Sequence, residues 1–227
     1  MIEAEWLAYT DPRPMLGPLR RGASDRKLRL FAAACCRRIW DLLPDEQCRS
    51  ALKTAELFAD GLANLKSLRE ARRGAMLSYF NHDDHDECSR FTGQESAAMA
   101  VAGACWTEAE ECYRGLDDVM DNCYGLGRLT SGWRNGGRIE FIRQCRDIRD
   151  IFGYPFRSVN LSPSCLTTEV VTLARAIYDS RVLDRLPELA DALRSAGCND
   201  ATLLAHCREK GQHVRGCWVV DSILDRA

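Results

Sequence analysis

Several things are missing from this chain of 227 residues, and each absence excludes a class of protein. No apolar run approaches the roughly 20 residues that cross a bilayer. The opening, MIEAEWLAYTDPRPM, has neither the basic start nor the apolar stretch of a secretory signal. A cytoplasmic protein with no membrane contact is therefore expected. Neither sign of charge is in excess: 31 Lys and Arg against 33 Asp and Glu leave a formal net charge of −2. Nothing global draws the chain to nucleic acid, so any such binding needs a local basic patch. Alternation with period two is scarce outside SVNL, which argues against a sheet. No fixed-period repeat marks a solenoid. The chemistry-bearing patterns Gly-x4-Gly-Lys-Ser/Thr, Gly-x-Ser-x-Gly and His-Glu-x-x-His are absent, and GLGRLTSG follows no strand. Adjacent carboxylates such as Asp117 and Asp118, or Glu110 and Glu111, diverge on a helix and make no acid/base pair.

What is present is helical. In SDRKLRLFAAACCRRIWDLL, Leu28, Phe31, Cys35, Ile39 and Leu42 recur near a period of 3.6, with Ser24 or Asp25 as N-cap. DEQCRSALKTAELFADG reads as a helix stopped by Gly61, and LANLKSLREARRGAMLSYF as another. The acidic NHDDHDECSRFTGQ reads as a loop. The stretch from Glu95 to Tyr124 reads as one long helix with Val101, Cys105, Cys112, Leu116, Val119 and Cys123 along its stripe. GLGRLTSGWRNGGR reads as an exposed basic loop, and IEFIRQCRDIRDIFG as a helix ending at Gly153. Four short helices follow, with Gly197 and Gly211 as stops and Asn199 or Asp200 as a cap. The expected fold is all-α. It is an irregular bundle of roughly seven to nine helices in a single domain over residues 1–227, with 154–227 as a compact C-terminal helical subdomain.

Twelve cysteines would suggest disulfides in a short secreted chain, but here most fall where a helix needs small core residues. Reduced, buried thiols are expected. Two clusters have ligand chemistry. HCREKGQHVRGCW brings two histidines and two cysteines into thirteen residues. Zinc takes four N or S donors, and Cys198, His206, Cys207, His213 and Cys217 could supply them, though without the compact Cys-x2-Cys knuckle. The competing reading is a helix, a turn at Gly211 and a second helix, with Cys207 and Cys217 in the core. A nucleophilic Cys–His pair would need an exposed thiol of lowered pKa. HDDHDEC places His82, His85 and Cys88 among carboxylates and suits a divalent ion or a solvated loop.

Arginine gathers in two places. Arg20, Arg21, Arg26, Lys27, Arg37 and Arg38 form one set. Arg128, Arg134, Arg138, Arg143, Arg146 and Arg149, with Trp133, form the other. Arginine with an interleaved aromatic suits a phosphate backbone and a stacked base, and Arg20, Arg21, Arg128, Trp133, Arg134 and Arg138 are the candidate contacts. Carboxylates on the same helices, Asp147 and Asp150 among them, would neutralise such a face.

EAEWLAYTDPRPML, ASDRKLRLFAAACCRRIW, DIFGYPFRSV, AIYDSRVLDRLPELADALRSAGC and AHCREKGQHVRGCWVVDSIL together resemble successive blocks of a paralogue-rich family of bacterial proteins typical of planctomycetes. The likeness covers both ends and the segment from Arg143 onward, and is weakest from about Asn64 to Gly137. It implies no particular activity. Such proteins often carry a Gly-Pro-Gly-Pro-like stretch before the second histidine, where this chain has REKGQ.

With no catalytic constellation, the expected role is a protein-interaction or adaptor module rather than an enzyme. Its partner would be another protein, with Trp6, Trp133 and Trp218 as anchors if exposed. No cofactor is expected on that reading. The alternatives are a nucleic-acid-associated protein using its arginine faces, and a zinc protein centred on the C-terminal cluster.

Overall fold

Side-chain caps set several helix starts, two of them, Ser24 and Asp200, among those expected from the sequence. Ser24 accepts the Lys27 N–H at 3.3 Å, Asp45 that of Cys48 at 2.9 Å, and Asp200 that of Leu203 at 3.0 Å. The computed structural model describes residues 2–19, 22–81, 93–108, 111–132, 134–156 and 161–226. Among these residues there is no strand, and twelve α-helices carry the fold where roughly seven to nine were expected. They divide into two compact units. One is Ala8–Arg146; the other joins Met1–Leu7 to Asp147–Ala227.

The Ala8–Arg146 unit contains α2 (Arg13–Leu19), α3 (Asp25–Arg38), α4 (Glu46–Ala59), α5 (Leu65–Asn81), α6 (Gly93–Ala104), α7 (Cys112–Ser131) and most of α8 (Gly136–Phe152). Every residue of α3 from Leu28 to Cys36 is buried, so this helix is the axis of the unit. It packs on α4, α6 and α7. Arg29 lies inside with it. Its guanidinium donates to the carbonyls of Ala104 (3.1 Å) and Trp106 (2.9 Å) and to Asp25 (3.0 Å), and sits 4.1 Å from the Trp106 ring centre.

That arginine corrects the expectation of one long helix after Glu95. The end of α6 leaves carbonyls without helical partners, and Arg29 satisfies two carbonyls there, while the Trp106 indole donates to Asp25 at 2.7 Å. The chain then re-enters helix at Cys112. Gly103 and Gly115 bring α6 and α7 together: a Cβ on Gly103 would stand 2.8 Å from the Gly115 carbonyl oxygen.

The glycine-rich GLGRLTSGWRNGGR is also not a loop for most of its length. α7 runs through it to Ser131, and a Cβ on Gly127 would lie 2.8 Å from the Gly136 carbonyl of α8. These glycines serve helix contact. Within this unit Arg38 forks onto Glu140 (2.6 Å), which Gln144 also reaches, and Arg37 pairs with Glu56 (2.6 Å).

The second unit contains α1 (Glu3–Ala8), the end of α8, α9 (Thr168–Ser180), α10 (Leu186–Ser195), α11 (Ala201–Arg208) and α12 (Trp218–Leu224). Trp6 is fully buried, and its carbonyl accepts from Arg149 at 2.8 Å. Ile177, Leu189, Leu193, Leu203, Val219 and Ile223 lead the core. α10 closes as the sequence suggests: Gly197 N–H bonds to the Arg194 carbonyl and Cys198 N–H to that of Leu193, which turns Cys198 back onto the core. α11 instead ends at Arg208, before Gly211. The eleven cysteines among the described residues are all buried and unbridged; Cys88 lies outside them.

Candidate metal centre

The site is assembled from three stretches of the second unit. Asp150 stands in the last turn of α8, which stops at Phe152; Gly153 follows in the left-handed region (φ 65°) with its N–H on the Arg149 carbonyl. Only glycine suits this position, because a Cβ there would meet the Trp218 ring at 3.0 Å. His206 projects from the last turn of α11. His213 lies in the irregular segment that follows, and a turn closed by Cys217 N–H on the Val214 carbonyl (3.0 Å), with Gly216 at φ 93°, delivers Cys217 as N-cap of α12.

These segments converge on one point. Asp150 Oδ1 lies 2.5 Å from His213 Nδ1 and 3.0 Å from His206 Nε2. His206 Nε2 is in turn 3.3 Å from Cys217 Sγ. One donor atom from each of the four residues falls within 4.8 Å of all the others. Asp150 Oδ2 accepts the Val214 N–H at 2.8 Å, which fixes the carboxylate with Oδ1 turned inward. The side chains of Asp150, His206 and His213 are 5–7 % exposed and Cys217 is fully buried.

Burial opposes the charge on Asp150, but hydrogen bonds from His206 and His213 outweigh it and hold the carboxyl below its ordinary value. The same burial would lower His213, yet Asp150 raises it. Burial, with Asp150 nearby, pushes the Cys217 thiol well up, and burial brings Cys207 to about 12. Neither thiol is therefore an activated nucleophile. The geometry also departs from a catalytic relay, in which acid and nucleophile address opposite ring nitrogens. Here Asp150 and Cys217 both face Nε2 of His206. A neutral imidazole nitrogen carries at most one proton, so it serves one such contact well and a cation serves both. Tetrahedral zinc sets neighbouring donors about 3.3–3.6 Å apart; His206 Nε2 and Cys217 Sγ already stand at 3.3 Å, and the two imidazoles, hydrogen-bonded to Asp150 at 2.5 and 3.0 Å, would part by under an ångström to admit the ion.

Of the sequence candidates, His206, His213 and Cys217 come together. Cys207, fully buried, lies outside the donor set, and Cys198, also outside it, shares a thiol–thiol hydrogen bond with Cys165. The fourth donor is Asp150, which the sequence groups only with the carboxylates that balance the arginines of its helix. One signal could have found it: an acid in the last turn of a helix opposes the macrodipole and calls for a partner. His82, His85, Cys88, Arg20, Arg21 and Trp133 lie outside the described residues. Among the other arginines, Arg26 pairs with Asp60 (3.2 Å), Arg128 is half-buried, and Arg134 and Arg138 are exposed. Trp6 and Trp218 are buried. No helix among the described residues is long and apolar enough to cross a membrane. No family model, no curated protein and no solved structure matches the chain.

Proposed function

We propose that this chain is a zinc-binding helical protein whose ion is held by Asp150 Oδ1, His206 Nε2, His213 Nδ1 and Cys217 Sγ. The convergence of four donors from the end of α8, the end of α11, the segment after it and the start of α12 carries the reading. A thiolate with two imidazoles and one carboxylate suits zinc, whereas magnesium and calcium favour oxygen donors throughout. Four protein donors in a buried setting fill a tetrahedral shell, so the role is structural: the ion ties three segments that share a modest core. A protein built this way acts through the surface it presents, which agrees with an interaction module rather than with bond-making. Elemental analysis of protein purified without chelator tests the reading. The expected result is about one zinc per chain, absent from the His206→Ala, Cys217→Ala double variant. Cobalt in its place should give tetrahedral ligand-field bands and a thiolate charge-transfer band that Cys217→Ser removes. A metal-free, fully folded protein that takes up no zinc would end the proposal.

A further inference from the structure

α8 sorts its charges by side. Its carboxylates point inward: Glu140, Asp147 and Asp150 are at most 5 % exposed, and Glu140 is taken by Arg38 and Gln144. The acids of this helix therefore lie on its buried side rather than between the outward arginines. Arg138, Arg143 and Arg146 point outward, with Arg134 exposed just before the helix. None of these four makes an ion pair or hydrogen bond among the described residues. Arg143 and Arg146 are like charges one turn apart, an arrangement that weakens a helix. On the flank, Asp121 is already paired with Arg13 (2.9 Å), whose guanidinium lies over the Phe141 ring. The outcome is a row of uncompensated guanidinium groups on a chain whose net charge is −2.

We propose that this outward face of α8 docks on the phosphate backbone of a nucleic-acid duplex. The eight steps from Arg138 to Arg146 rise about 12 Å, a length of duplex axis along which one strand presents three to four phosphates at about 3.4 Å each. Arginine matches phosphate through two parallel N–H bonds. Between the arginines stand Ile139, 38 % exposed, and the half-buried Ile142. Single strands are gripped by aromatic platforms, and the described part of this face has none, so a duplex is favoured. DNA and RNA duplexes share this chemistry.

Fluorescence anisotropy with short labelled DNA and RNA duplexes of one sequence, over a salt series, tests the proposal, with labelled polyglutamate as the acidic-protein comparison. Binding should weaken with a log–log salt slope of about −3. Arg138→Glu, Arg143→Glu, Arg146→Glu should reduce affinity at least about tenfold at low salt, with an unchanged circular dichroism spectrum. A charge-matched control in the other unit, Arg175→Glu, Arg194→Glu, Lys210→Glu, should bind as the parent does. The tighter of the two duplexes identifies the source. No duplex binding at low salt, equal losses in both triple variants, or polyglutamate binding as tightly would each overturn the proposal.

Discussion

Asp150 and His213 depart from their ordinary pKa values in opposite directions, which gives the site a pH signature of its own. The lowered Asp150 contributes stability above the unfolded carboxylate pKa and loses it as pH falls through its lower folded value. The raised His213 contributes below the unfolded imidazole pKa and loses it as pH rises through its higher folded value. Chelator-treated protein should therefore be most stabilised by this pair between the ordinary carboxylate and imidazole values, near pH 4 to 6.5. Urea melts should show a decline on either side, and His213→Gln should flatten the alkaline limb. The metal reverses that limb. Zinc binding must displace protons from Cys217 and His213, so affinity measured by competition with a chromophoric chelator should rise with pH. Gly216, at φ 93°, sets the turn between two donors. Gly216→Ala should lose about 1–2 kcal/mol in the same melts and weaken zinc together with it.

Helices that start on a side-chain cap, such as α3 at Ser24 and α11 at Asp200, were legible because cap and first turn are neighbours in sequence. The break between α6 and α7 was not, because the group that satisfies the Ala104 carbonyl, Arg29, is 75 residues away. Its removal should show this. Arg29→Met leaves the carbonyls of Ala104 and Trp106 without their side-chain donor and should cost about 1–3 kcal/mol for each in denaturant unfolding, while the half-exposed Asp25 keeps its bond from the Trp106 indole. Gly103→Ala should cost about 1–3 kcal/mol, since α6 and α7 must part to admit the methyl group. The glycines of α7 read as loop for a related reason: the signal that distinguishes a packing glycine from a turn glycine lies on the facing helix. The candidate site divides the same way. His206, His213 and Cys217 fall within a dozen residues and could be read as a group, whereas Asp150 is 63 positions from His213 and joins them only through the fold.

At the scale of the whole molecule, the ion's effect should be confined. Anything that binds the native form adds stability to the unit that holds it. Amide exchange with and without chelator should therefore lose protection over the end of α8, over α11 and over α12, and change little over α3 to α7. Uniform loss across both units would contradict a local staple. The composition of the second unit has one more consequence. Its first helix, α1, is translated ahead of the whole Ala8–Arg146 stretch, while the groups that bury Trp6, Arg149 and Phe156 among them, emerge only afterwards. On the ribosome, this segment must wait with Trp6 unsheltered until the stretch carrying Arg149 and Phe156 is made. Arg149 follows Trp6 by 143 positions, so the segment takes its place only after that long stretch has been made.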